Sequence, residues 1–155
     1  MRRREMTPGH PAMNAVTPRN VAALVGTAKV LIVDDDHYMR KVIRSLLLAI
    51  GIKNIFDAPN GTKGLESICT IGPDIVILDW ELPDMTGAEF MRAVRSPGKF
   101  MFPAVPVVML TGHVDRERVV EAISLGVHEF LCKPVSAKTL LERIVSIRAK
   151  PRRMV

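Results

Sequence analysis

The chain has 155 residues, 48% of them hydrophobic and 25% charged, with a net charge of +6. This length suits one domain. No run approaches the roughly 18 consecutive apolar residues of a membrane span, and no apolar signal core follows the basic start Met1-Arg2-Arg3-Arg4, so a cytoplasmic protein with no membrane partner is expected. The positive charge lies at the ends, in Arg2, Arg3, Arg4 and Arg19 and in Arg148, Lys150, Arg152 and Arg153, and leaves 29–147 close to neutral; with aromatics at only 5%, neither a basic face nor a base-stacking platform is present and direct DNA binding is not expected.

Residues 1–28 contain Pro8, Gly9, Pro11, Pro18 and Gly26 without a sustained period, which predicts a flexible N-terminal extension. Val21-Ala22-Ala23-Leu24-Val25 has the composition to pack locally but no caps. From Lys29 the pattern alternates between strand and helix. Strand one is predicted at 29–33, and the first helix at 37–50 with Met39, Ile43, Leu46, Leu47 and Ile50 on one face and Gly51 as its stop. Strand two follows at 52–56, the second helix at 61–70, strand three at 75–79 and the third helix at 87–95. Strand four is predicted at 107–110, the fourth helix at 116–125 with Gly126 ending it, strand five at 129–132, and the fifth helix at 136–148 with Ser136 as N-cap. Residues 149–155 form a basic tail. Cys69 and Cys132, in a predicted helix and strand, read as reduced core thiols. Phe100-Met101-Phe102-Pro103 lies in the connection before strand four and reads as local packing ahead of a partner site.

Five βα units imply a parallel sheet covered on both faces. Central strands of such a sheet are continuously apolar, and edge strands are mixed. Val30-Leu31-Ile32-Val33, Ile75-Val76-Ile77-Leu78 and Val107-Val108-Met109-Leu110 are continuous; strands two and five carry polar residues. The expected fold is therefore an α/β, flavodoxin-like, doubly wound (βα)5 three-layer sandwich of order 2-1-3-4-5. Its crevice lies at the carboxyl ends of strands one and three.

Each run ends on a polar residue: Asp34-Asp35-Asp36, Asp79, Thr111 and, after Phe130-Leu131-Cys132, Lys133. Two carboxylates about 4 Å apart repel by roughly 4 kcal/mol at an effective dielectric of 20. Such a cluster either takes up a proton or binds a cation, and hard oxygen ligands suit Mg²⁺. A carboxylate beside Mg²⁺ can act as nucleophile toward a phosphoryl group, whose oxygens Lys133 and Thr111 are placed to bind. Asp36 reads as an N-cap or first-turn acid, not a metal ligand. Gly87 is expected to permit a close loop after strand three, and Trp80 to report Mg²⁺ binding by its fluorescence.

Val33-Asp34-Asp35, Leu78-Asp79-Trp80-Glu81-Leu82-Pro83, Leu110-Thr111-Gly112 and Cys132-Lys133-Pro134 together resemble the receiver domain of two-component response regulators, most nearly the stand-alone chemotaxis-regulator type. The resemblance covers 29–148. It implies that Asp79 is the phosphoacceptor, with phosphoryl groups supplied by a sensor histidine kinase or a histidine phosphotransfer protein. It implies Mg²⁺ held by Asp35, Asp79 and the backbone carbonyl of Glu81, with Asp34 acting through water. It assigns phosphoryl binding to Thr111 and Lys133, a cis Lys133-Pro134 bond, and a switch in which Phe130 moves inward with Thr111. Phe130 lacks the hydroxyl often found at this place, so that switch would work by packing alone. Glu81 and His113 occupy the positions that tune acyl-phosphate lifetime in the family. The output face would comprise the fourth helix, strand five and the fifth helix, with Arg116, Arg118, Glu121, His128, Lys138 and Arg143. Only about seven residues follow the fifth helix, so the implied output is binding of a downstream protein or onward phosphotransfer, by a monomer or weak homodimer. The protein is then not an enzyme beyond its own phosphorylation and dephosphorylation. The alternative is a Mg²⁺-dependent phosphatase with Asp79 as nucleophile; that class places a second Asp two residues on, where this chain has Glu81.

Overall fold

Alternation of side chains across a strand, not composition alone, builds the two cores. The computed structural model describes residues 18–96, 98, 102–112 and 115–149. Strands β1 (Lys29–Val33), β2 (Asn54–Ala58), β3 (Ile75–Asp79), β4 (Val107–Thr111) and β5 (Glu129–Cys132) form one parallel sheet of order β2-β1-β3-β4-β5. β3 and β4 are buried at every position and β1 at all but its first, whereas β2 and β5 are partly exposed. Apolar continuity in the sequence therefore separates central from edge strands correctly.

Helices α1 (Pro18–Gly26), α2 (His37–Ala49), α3 (Gly61–Ile71), α4 (Gly87–Arg95), α5 (Arg116–Ser124) and α6 (Ala137–Ala149) complete the described elements. Val30 and Ile32, Ile75 and Ile77, and Val108 and Leu110 face one layer, against Ile43 and Leu47 of α2 and Leu140, Ile144 and Ile147 of α6. The intervening Leu31 and Val33, Val76 and Leu78, and Val107 and Met109 face the other, against Ile68 of α3, Phe90, Met91 and Val94 of α4 and Ala122 of α5. The period of two sends adjacent residues to opposite layers. Among the described residues no helix is long and apolar enough to cross a membrane.

Four expectations need correction. Pro18–Gly26, expected to belong to the flexible extension, is helical: Val25 and Ala28 are buried in the α2–α6 layer, and Arg148 Nε of α6 donates to the Leu24 carbonyl at 3.2 Å. Residues 1–17 lie outside the described residues. β2 begins two residues later than predicted, because Ile52 closes α2 instead of starting the strand. The Ile52 N–H bonds the Leu47 carbonyl (3.0 Å), the Gly51 N–H bonds Leu48 (3.1 Å), and Gly51 has φ +103°. That double closure needs a left-handed residue, which glycine supplies. Cys69 and Cys132 are free but exposed, not core thiols. Cys69 follows the buried Ile68 on α3, so it turns outward, and Cys132 ends an edge strand. His128, expected on the output face, is buried, and the Val107 N–H donates to its Nδ1 at 3.4 Å.

The expected caps are present. Asp36 accepts from the Tyr38 and Met39 amides, and Ser136 Oγ from the Thr139 amide. Phe102 packs its ring over Gly72, the left-handed C-cap of α3, while Phe100 and Met101 lie outside the described residues.

Candidate phosphoacceptor and metal site

The parallel sheet delivers its acids to one edge by register. Val33 pairs with Leu78 and Asp79 with Leu110, so the residues leaving β1 and β3 emerge side by side. One carboxylate oxygen each from Asp34, Asp35 and Asp79 lie within 4.8 Å of one another. Asp34 and Asp79 are buried, and Asp35 is exposed. Lys133 reaches across from the end of β5, its Nζ 3.5 Å from Asp79 Oδ1 and 3.8 Å from Asp34 Oδ2. The Lys133 N–H donates to the Thr111 carbonyl at 2.8 Å, which fixes the ammonium-bearing turn to the end of β4. The Lys133-Pro134 bond is cis, as the resemblance implied. Thr111 itself is buried at the same edge.

The surroundings divide the acids by role. Asp34 Oδ1 accepts from the Asp36 N–H at 2.9 Å, while its buried Oδ2 has no hydrogen-bond partner. Asp36 caps the α2 N-terminus through Oδ1, and the acids gathered at the edge are Asp34, Asp35 and Asp79. Asp79 Oδ1 accepts from the Glu81 N–H at 3.3 Å. Burial first, and then the neighbouring Asp34 carboxylate, push Asp79 up to about 6. Burial also raises Asp34, against the downward pull of the Asp36 amide and Lys133. Three acids with hard oxygens, one ammonium between two of them, and one buried acceptor without a hydrogen-bond partner fit a small divalent cation such as Mg²⁺.

The loop after β3 is held from three sides. Trp80 N–H donates to Leu110, and Gly87 N–H donates back to Trp80. Thr86 and Glu89 form a reciprocal capping box that starts α4 at Gly87. Asp84 accepts from the Gly61 N–H, the Thr62 N–H and the Thr62 hydroxyl, at 2.8, 2.9 and 2.7 Å. These bonds, the Thr62 hydroxyl foremost, hold its carboxyl down at about 2. At Gly87 a Cβ would stand 2.3 Å from two atoms of the Trp80 ring. Gly87→Ala is therefore expected to cost about 1–3 kcal/mol by overpacking. Urea unfolding measures the loss, and the single Trp supplies a native-state fluorescence shift that accompanies it.

Several contributors were not anticipated. Arg40 of α2 donates through Nη1 to the Asp34 carbonyl at 2.7 Å, and its Nε lies 3.5 Å from Asp57 of β2. Asp84 acts across 22 and 23 residues, and Arg40 reaches Asp34 six residues back while pairing with Asp57 on another strand, so no helical or strand spacing marks either one. Glu81, expected to lend its carbonyl to the metal, turns its carboxylate to Arg118 of α5, 3.2 Å away. Phe130 is half-buried against the α3–α5 layer that also holds Trp80. His113 lies outside the described residues.

A family model for the response regulator receiver domain matches residues 30–145. The chain belongs to the receiver-domain family. It is 37% identical over 119 residues to the chemotaxis protein CheY of Pseudomonas aeruginosa, covering 77% of this chain and 94% of that protein. Chemotaxis protein CheY-3 of Vibrio cholerae is 33% identical over 126 residues, 81% of this chain and 95% of the relative. Among solved structures, CheY4 of Vibrio cholerae superposes with a TM-score of 0.69 at 32% identity, covering 77% of this chain and 98% of CheY4. A putative response regulator from Chloroflexus aurantiacus gives 0.73 at 28% identity, covering 79% and 98%. The receiver reading and the flavodoxin-like order stand, and the family match does not favour the phosphatase alternative.

Proposed function

We propose that this receiver is a cytoplasmic response regulator of the stand-alone chemotaxis type, in which Asp79 accepts a phosphoryl group from a phosphohistidine. The observation that carries the reading is Lys133 Nζ set between the Asp79 and Asp34 carboxylates at 3.5 and 3.8 Å. An ionised Asp79 oxygen attacks phosphorus; the new P–O bond forms as the P–N bond breaks, and the electron pair leaves on the imidazole nitrogen. Lys133 and Thr111 then bind phosphoryl oxygens, and the acyl phosphate carries about two negative charges by analogy with other phosphorylated side chains. Asp35, Asp79 and the Glu81 carbonyl would hold Mg²⁺, with Asp34 acting through water. The ion would withdraw charge from the phosphoryl oxygens. The added charge shifts a pre-existing equilibrium of Thr111 and Phe130, and thereby partner affinity at the α5–β5–α6 face. A sensor histidine kinase or histidine phosphotransfer protein is the donor partner and a downstream protein the target, with the regulator a monomer or weak homodimer. Glu81 and His113 are the proposed lifetime-tuning positions.

Incubation with a small acyl phosphate and Mg²⁺, followed by intact-mass measurement, tests this. One phosphoryl adduct is expected on the wild type and none on Asp79→Asn; an undiminished adduct on the variant would refute Asp79 as acceptor. Only ionised Asp79 is nucleophilic, so at limiting Mg²⁺ adduct formation should slow about tenfold per pH unit below about 6.

A further inference from the structure

Beside the phosphoacceptor loop, between α4 and α5, lies a cavity of about 510 Å³ bordered by Trp80, Glu81, Leu82, Arg92, Arg118 and Glu121. The Glu81 carboxylate and the Arg118 guanidinium meet there at 3.2 Å, across 37 residues of sequence. Glu81 is only two residues from Asp79, and its N–H already bonds the Asp79 carboxylate. Its side chain is largely exposed, 63%, and among the described residues the carboxylate's ion-pair partner is Arg118 of α5. The edge it borders holds three carboxylates, and a single ammonium spans two of them. A fourth negative charge turned toward that edge would oppose any phosphoryl donor, because every such donor is an anion and like charge slows encounter. The same charge would strengthen attraction for a divalent cation.

We propose that Arg118 is a positioning residue for the phosphoacceptor: it draws the Glu81 carboxylate onto α5 and keeps that charge off the approach to Asp79. This rests on Asp79 as the acceptor. It assigns to an α5 side chain a part in the reaction itself, in addition to any part in partner binding. Its reach is bounded by the strength of a partly exposed ion pair, which sets the effect at about two- to fivefold.

The test is a double-mutant cycle on the full chain with Arg118→Ala, Glu81→Gln and the double variant. Alanine at 118 keeps the backbone N–H that bonds Asp115 Oδ1 at 2.8 Å, so the α5 cap survives. Two quantities are read at low ionic strength: the rate of adduct formation with a small anionic acyl phosphate, and the Mg²⁺ dissociation constant from Trp80 fluorescence. Arg118→Ala is expected to slow the adduct about two- to fivefold and to tighten Mg²⁺ by a similar factor. In the Glu81→Gln background both effects should vanish, and Arg118→Lys should restore them most of the way to wild type. An Arg118→Ala effect of equal size with and without Glu81, or no effect at all, would overturn the proposal. If the wild type itself forms no adduct, the acceptor reading fails instead, and the Mg²⁺ cycle still decides whether Arg118 governs the Glu81 charge.

Discussion

Asp79→Asn should stabilise the metal-free protein by about 2–3 kcal/mol at pH 7 and above. The Asp79 carboxyl titrates at about 6 in the fold against 3.8 for an ordinary aspartate. Each tenfold loss of acidity on folding opposes folding of the ionised form by about 1.4 kcal/mol. The folded state holds the proton more tightly than the unfolded chain. Wild-type stability is then highest below about pH 3.8 with respect to this group, falls as pH rises to about 6, and is flat above. Asparagine keeps the size and the oxygen that accepts the Glu81 amide, but not the charge. Urea unfolding in EDTA across this range is the measurement. The variant should exceed the wild type by an amount that grows between pH 4 and 6 and then levels off; a variant less stable than wild type at pH 7 would mean that the Lys133 contact outweighs burial and repulsion.

The penalty is the feature that makes the site responsive. Burial of Asp34 and Asp79 leaves the edge short of positive charge, and Lys133 offsets only part of that shortage. A divalent cation held by the same oxygens stabilises the folded state by mass action. The Asp79→Asn variant starts from a higher stability and should gain less from added Mg²⁺, which separates relief of repulsion from nonspecific salt effects.

The part of this arrangement that can be read from the sequence is the part that comes from strands buried on both faces. Such strands appear as uninterrupted apolar runs, and a parallel sheet must bring their ends to one edge; Asp34, Asp79 and Thr111 follow from that alone, and Lys133 joins them from the mixed edge strand β5 that pairs with β4. Contacts made by tertiary packing are not legible in the same way. α1 is nine residues long, too short to be stable by itself, and among the described residues it is held by Val25 in the α2–α6 layer and by the Arg148 bond to Leu24. Ile52 reads as strand by its side chain but is used as helix closure by its backbone. His128 has the polarity of a surface residue, and polarity alone does not decide exposure; the fold pairs its buried ring with the Val107 amide. Arg118 lies on the expected output face, yet its partner Glu81 is 37 residues away and no local spacing connects them.

Lys133→Met should act in the opposite direction to Asp79→Asn, lowering stability in EDTA at pH 8 by about 2 kcal/mol. Methionine preserves the length and apolar stem of the side chain, so the loss reads the ammonium and not a cavity. Removing one partner of a fully buried pair costs about 3–5 kcal/mol. Lys133 is 25% exposed, and solvent there screens the interaction, which places the expectation below that range. Without the ammonium the Asp79 carboxyl rises further, so its proton is held to higher pH. The deficit should therefore shrink as pH falls toward 5, where Asp79 is neutral in both proteins. The double variant Asp79→Asn/Lys133→Met removes the charge that the ammonium was neutralising. It should recover most of the loss, leaving only the weaker Lys133–Asp34 contact at 3.8 Å unreplaced. A double variant no more stable than Lys133→Met alone would show that position 133 supports the fold through packing at the cis turn, and that the acid edge owes its poise to burial without the lysine.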